Sequence, residues 1–168
     1  IGMVLCSCDL SGALAPSRQT ARRDWLTELV RTPGLVRRGI KDACEQWGDE
    51  ATPQPLELVP GLWCAAVPLR DRRDRVGYSL IAIPTSELLK SEHLSAMCQA
   101  THFDVRVCRE RLRRLSVPNA SEVPRLAAMF SRLWLDRQAR DGREQTLEQV
   151  GRELAETWEE INLGSCVW

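Results

Sequence analysis

In the last third of the chain, apolar residues recur at intervals of seven. Leu126, Leu133, Leu147, Leu154 and Ile161 share one heptad register, with Met129 and Val150 at the complementary position. A helix with that repeat carries one apolar stripe along its length, which is what pairing with a second helix requires. The spacing predicts a long helix over 119–163, opened by Ser121 and Pro124, with 164–168 as a tail. Its seam, Leu126, Met129, Leu133, Leu147, Val150, Leu154 and Ile161, predicts a parallel homodimer. A connector of this kind is expected to lead into a further domain. Asp136, Arg140 and Arg143 fall on seam positions with Gly142 beside them, so 136–143 is the expected weak point. The competing arrangement is an amphipathic helix folded back on its own domain, which has a similar stripe over so few heptads.

The remaining 1–118 is long enough for one domain with a core of its own. Lys and Arg total 23 and Asp and Glu total 23, so no net field draws the chain to nucleic acid or an anionic membrane. The densest basic stretch, Arg106 to Arg114, spreads its charges around several helical faces and lacks the aromatic rings that stack bases. No run approaches the roughly 18–20 apolar residues of a spanning helix, and Ile1 to Leu5 lacks the basic flank of a signal peptide. The seven cysteines have no repeating spacing, which fits buried thiols in a reducing compartment better than a disulfide framework. The expectation is a cytoplasmic module that engages neither nucleic acid nor membrane.

Met3 to Cys8 reads as a buried strand, turned by Asp9 to Gly12 into a short return strand that Pro16 ends. Two helical patterns follow. Ala21, Trp25, Leu26, Leu29 and Val30 lie on one face after Ser17 as a candidate cap, and Leu35 to Trp47 runs to Gly48. The clearest strand signal is Leu56 to Val59, then Leu62 to Leu69, a charged turn from Arg70 to Arg75, and Val76 to Ile83. Helical periodicity returns over 86–101 and 104–115. This order predicts an α+β fold: a small antiparallel sheet of about five strands flanked by helices, with the coiled-coil-type helix at its end.

The stretch Val67-Pro68-Leu69, a basic turn, then Val76-Gly77-Tyr78-Ser79-Leu80-Ile81-Ala82 resembles the central hairpin of GAF-like sensor domains. The opening Val4 to Gly12 is similar to the first strand and turn of GAF and PAS folds, and Leu154 to Leu163 resembles the signalling helix that follows such sensors. The resemblance implies a sensory module of a multidomain bacterial signal-transduction protein. In such a protein a ligand-dependent change is relayed through the dimeric helix to a cyclase, kinase or phosphatase unit. An Asn-Lys-Phe-Asp-Glu type cyclic-nucleotide signature is absent from the sequence.

Four aromatic and thiol positions make the candidate ligand site. Trp63, Cys64 and Tyr78 lie on the central hairpin and Trp47 ends the helix expected to cover it, a mix of rings and polar edges suited to a small molecule. A plain aromatic core is the competing reading. Cys6 and Cys8, two apart on a strand, share a face; with Cys64 and His93 they form a candidate metal or redox site, against the simpler reading of core fillers. No nucleophile and base stand at a usable spacing, so no catalytic residue is assigned and an enzyme is not expected. The alternatives to a ligand-binding relay are a cysteine-based metal or redox sensor on the same fold and a purely structural dimerisation module.

Overall fold

The computed structural model describes residues 2–16, 24–138 and 146–164, with side chains in the last segment described over 150–159. Strand β1 is Val4–Asp9, followed by helices α1 (Trp25–Arg31) and α2 (Gly34–Trp47). Strands β2 (Leu56–Val59), β3 (Leu62–Asp71) and β4 (Asp74–Pro84) come next, then α3 (Glu92–Thr101), α4 (Val105–Arg114), α5 (Val123–Gln138) and α6 (Thr146–Gly164). Single 3-10 turns at Leu88–Lys90 and Ala120–Glu122 precede α3 and α5. This is an α+β architecture with one small antiparallel sheet.

The sheet order is β1-β4-β3-β2, antiparallel at every step. Residues of β1 alternate, with Val4, Cys6 and Cys8 buried and Leu5 and Ser7 only half-buried, as expected where one strand face meets the core. Central β4 behaves differently. From Gly77 to Pro84 every residue is buried, so its unbroken apolar run reflects burial on both faces. Among the described residues the sheet has four strands, not about five. The expected return strand shrinks to a single bridge between Cys8 and Leu14, with Pro16 two residues on. Proline has no N–H to donate, so the ladder does not extend past it.

The helices start where their capping residues stand. The side chains of Asp24, Ser91 and Asp104 accept backbone N–H groups at the first turns of α1, α3 and α4. The Ser91 cap sets the start of α3 at Glu92, later than the pattern from residue 86 suggested; Leu88–Lys90 makes a 3-10 turn instead. The candidate cap Ser17 lies outside the described residues. In α2, Val36, Ile40, Ala43, Cys44 and Trp47 are buried at three- and four-residue intervals. They join Leu26, Leu29 and Val30 of α1 over the face formed by Val4, Cys6 and Cys8, Leu62, Cys64 and Ala66, and Tyr78, Leu80 and Ala82.

Two compact units divide the chain, 1–127 and 128–168. In the second, the predicted single helix is resolved into α5 and α6, the longer of which has 19 residues. Arg137, near the end of α5, is ion-paired with Glu153 of α6. In one continuous helix these residues would stand about 24 Å apart, so α5 and α6 are two helices with Arg137 and Glu153 brought together. Asp136 lies in the last turn of α5, whereas Arg140, Gly142 and Arg143 lie outside the described residues. Of the seam, Leu126, Val150 and Leu154 are buried within the single chain, and Met129 and Leu133 are half-buried. The side chains of Leu147 and Ile161, and the tail beyond Gly164, lie outside what is described. No described helix is long and apolar enough to cross a membrane.

Candidate functional site

The sheet face under α2 gathers thiols and aromatic rings. Odd and even positions of a strand point to opposite faces, so Cys6 and Cys8 of β1 necessarily share one. The register sets Cys6 against Leu80 and Cys8 against Tyr78, while Cys64 of β3 opposes Ala82 from the other side of β4. Cys44 of α2 comes down onto Cys8, with the two sulfurs 3.6 Å apart and both residues buried. Three turns of pattern therefore meet here: β1 alternation, the α2 stripe and the β3–β4 register.

Three residues along α2 from Cys44, Trp47 packs on Tyr78 with ring centroids 5.4 Å apart and planes tilted by 51°. The polar edges of both rings are occupied. Trp47 Nε1 donates to the Gln54 carbonyl at 2.7 Å, and the Tyr78 hydroxyl donates to the Gly48 carbonyl at 2.9 Å. Arg75 completes this corner. Its guanidinium lies 5.6 Å from the Tyr78 ring centre and donates to the carbonyls of Gly48 and Glu50, the latter at 2.8 Å. The loop after α2 is thus fastened to the hairpin by Tyr78 and by Arg75, a residue of the charged run expected to form the turn.

Of the four candidate ligand-site residues, the structure brings Trp47, Cys64 and Tyr78 to one face. Trp63 is not with them: adjacent to Cys64 on β3, it points to the opposite face, where it pairs across from Ile83. Its buried Nε1 has no partner among the described residues, nor has the hydroxyl of Ser79 on the same face. Of the candidate metal set, Cys6, Cys8 and Cys64 share the core face, but His93 is exposed at the first turn of α3, hydrogen-bonded to Ser91. Among the described residues, no group of three or more His, Cys, Asp or Glu is placed to hold a metal ion.

The thiols are not equivalent. Burial pushes Cys6 up to about 11, opposed by the nearby Arg31 charge. Burial likewise raises fully enclosed Cys64. Cys8 and Cys44 share a hydrogen bond, so they titrate as a unit. The bond from Cys8 favours the Cys44 thiolate and lowers that thiol, against opposing burial and the charges of Asp9 and Glu45; the same bond, with burial, raises Cys8. Cys44 is not among the candidate site residues of the sequence. Its signal was only its place on the buried stripe of α2, which identifies a core residue but not which strand residue it meets.

A second thiol pair links α3 and α4, where Cys98 is hydrogen-bonded to Cys108 and is raised to about 12, chiefly by burial. Both are buried. No protein-family model matches the chain, and comparison with curated proteins and with solved structures gives no significant match.

Proposed function

We propose that this protein is a sensory or regulatory module, GAF-like or PAS-like in kind, whose two C-terminal helices act as a reversible packing element. The observation that carries this reading is the double use of one apolar stripe. Val150 and Leu154 occupy the heptad register expected of a dimer seam, yet they are buried within the single chain. Arg137 and Glu153 fasten α6 back towards α5. The same stripe serves two packings: folded back within one chain, or opened and paired in parallel between two. A signal received by the sheet and its covering helices shifts the balance between them, and a following cyclase, kinase or phosphatase unit reads the result.

Half-buried Met129 and Leu133, with Leu135 at 55% exposure, leave α5 an apolar surface that the folded-back state does not fully cover. Replacing Arg137 by glutamate sets two like charges against each other and opens the closed state. Light scattering over a hundred-fold concentration range is the test. Arg137→Glu is expected to dimerise at lower concentration than the unaltered chain; if both remain monomeric at every concentration, the two-packing reading fails.

A further inference from the structure

We propose that Cys8 and Cys44 are a reversible oxidation site, a dithiol that closes to a disulfide between β1 and α2 on reaction with a hydroperoxide. The sulfurs already touch at 3.6 Å, so bond formation to the S–S length of about 2.05 Å closes a gap of about 1.6 Å. They lie 36 residues apart in sequence and on different elements, so the bond cross-links sheet to helix instead of decorating one of them. Their position also suits access. Cys8 directly precedes the exposed Asp9, Leu10 and Ser11, and Cys44 directly precedes the exposed Glu45 and Gln46 near the end of α2. Both sulfurs are buried, and Trp47 and Arg75 fasten the end of α2, so a hydroperoxide reaches the pair by local opening of β1 against α2.

The chemistry of the neighbours separates this pair from the other buried thiols. The hydrogen bond between Cys8 and Cys44 stabilises a thiolate on one of them, the nucleophilic form. Cys6 and Cys64, raised by burial, stay protonated alongside. The Cys44 sulfur attacks one peroxide oxygen, the O–O bond breaks, and the alkoxide leaves as an alcohol after taking a proton. Cys44 is then a sulfenic acid. The Cys8 sulfur attacks that sulfur, the S–O bond breaks, and water departs with the second thiol proton. In sum, two thiols and one hydroperoxide give one disulfide, one alcohol and one water. Two electrons pass from sulfur to oxygen. A small dithiol reverses the change by two exchange steps and is itself oxidised to a disulfide.

This chemistry is independent of whether the terminal helices pair between chains. The test uses the full 168-residue chain, fully reduced, treated with one equivalent of tert-butyl hydroperoxide, alkylated and mapped by mass spectrometry without reduction. A peptide pair linking Cys8 to Cys44, lighter by two hydrogen atoms and lost on addition of dithiothreitol, is the expected result. Intact alkylated thiols at both positions, or a link confined to Cys98 and Cys108 or to any other pair, overturns the proposal. Cys8→Ala supplies a second reading that does not depend on the link. With its resolving thiol gone, Cys44 is expected to take up dimedone as a trapped sulfenic acid, and labelling spread evenly over the remaining cysteines counts against the site.

Discussion

Single residues fix this fold at its turns. The Asp9 carboxylate accepts from the Ser11 hydroxyl at 2.6 Å and from the backbone of Ser11 and Ala13 at 2.9 and 3.0 Å, closing the turn that follows β1. The bond from the Ser11 hydroxyl, followed by those from the backbone, holds its carboxyl below the usual range. The sign follows directly. A carboxyl that ionises more readily when folded contributes fully above its unfolded value of about 3.9 and loses that contribution as pH falls through the folded value. A side-chain NMR titration is expected to show Asp9 ionising below that reference, and an ordinary Asp midpoint would show that these bonds do not hold the turn. Asp9 is fully exposed to solvent, so the effect is local to the turn. Arg75 teaches the opposite lesson: a residue in a charged run proves largely buried, its bonds fastening the Gly48–Glu50 loop. Composition makes such an arginine look solvated, because the carbonyls that receive it come from 25 and 27 residues away.

At the scale of elements, pairing of β1 with β4 depends on an absent side chain. A Cβ on Gly77 would stand 2.1 Å from the Cys8 carbonyl oxygen, backbone that has no room to yield. Gly77→Ala is therefore expected to destabilise the protein by about 2 kcal/mol or more, by the cost of overpacking, read as a lowered midpoint in urea. A midpoint unchanged within error would show that β1 sits farther from β4 than the register implies. The helices and strands themselves were largely legible in the chain. Alternation in β1, the buried interval in α2, the two apolar runs of the β3–β4 hairpin and the helical period of α4 are local patterns, and local patterns are written in consecutive residues. Two things were legible only in part: the return strand, reduced to the Cys8–Leu14 bridge, and the break between α5 and α6, whose place the polar seam positions 136–143 marked without showing that the helix divides. Each depends on whether a short segment finds partners elsewhere.

For the molecule as a whole, the proposed function turns on the balance between a terminal stripe satisfied within one chain and the same stripe shared by two. If the open state pairs, folding is coupled to association, and each tenfold rise in protein concentration stabilises the dimer by about 1.4 kcal/mol. The thermal midpoint of Arg137→Glu is then expected to climb with concentration, while that of a closed monomer stays level; a level midpoint for the variant argues against an open, paired state. Sequence by itself determined the α+β class, the order of elements from α1 to α4, the heptad register and the presence of Cys6, Cys8 and Cys64 on strands. All of these follow from periodicity, which one residue's neighbours in the chain suffice to reveal. Only the tertiary structure decided that Trp63 turns away from Tyr78, that Arg137 reaches Glu153, and that Cys44 rather than His93 meets Cys8. Those outcomes rest on which surfaces the folded chain brings into contact. Contact between residues 36 apart is a property of packing, and heptad spacing states the stripe but not what covers it.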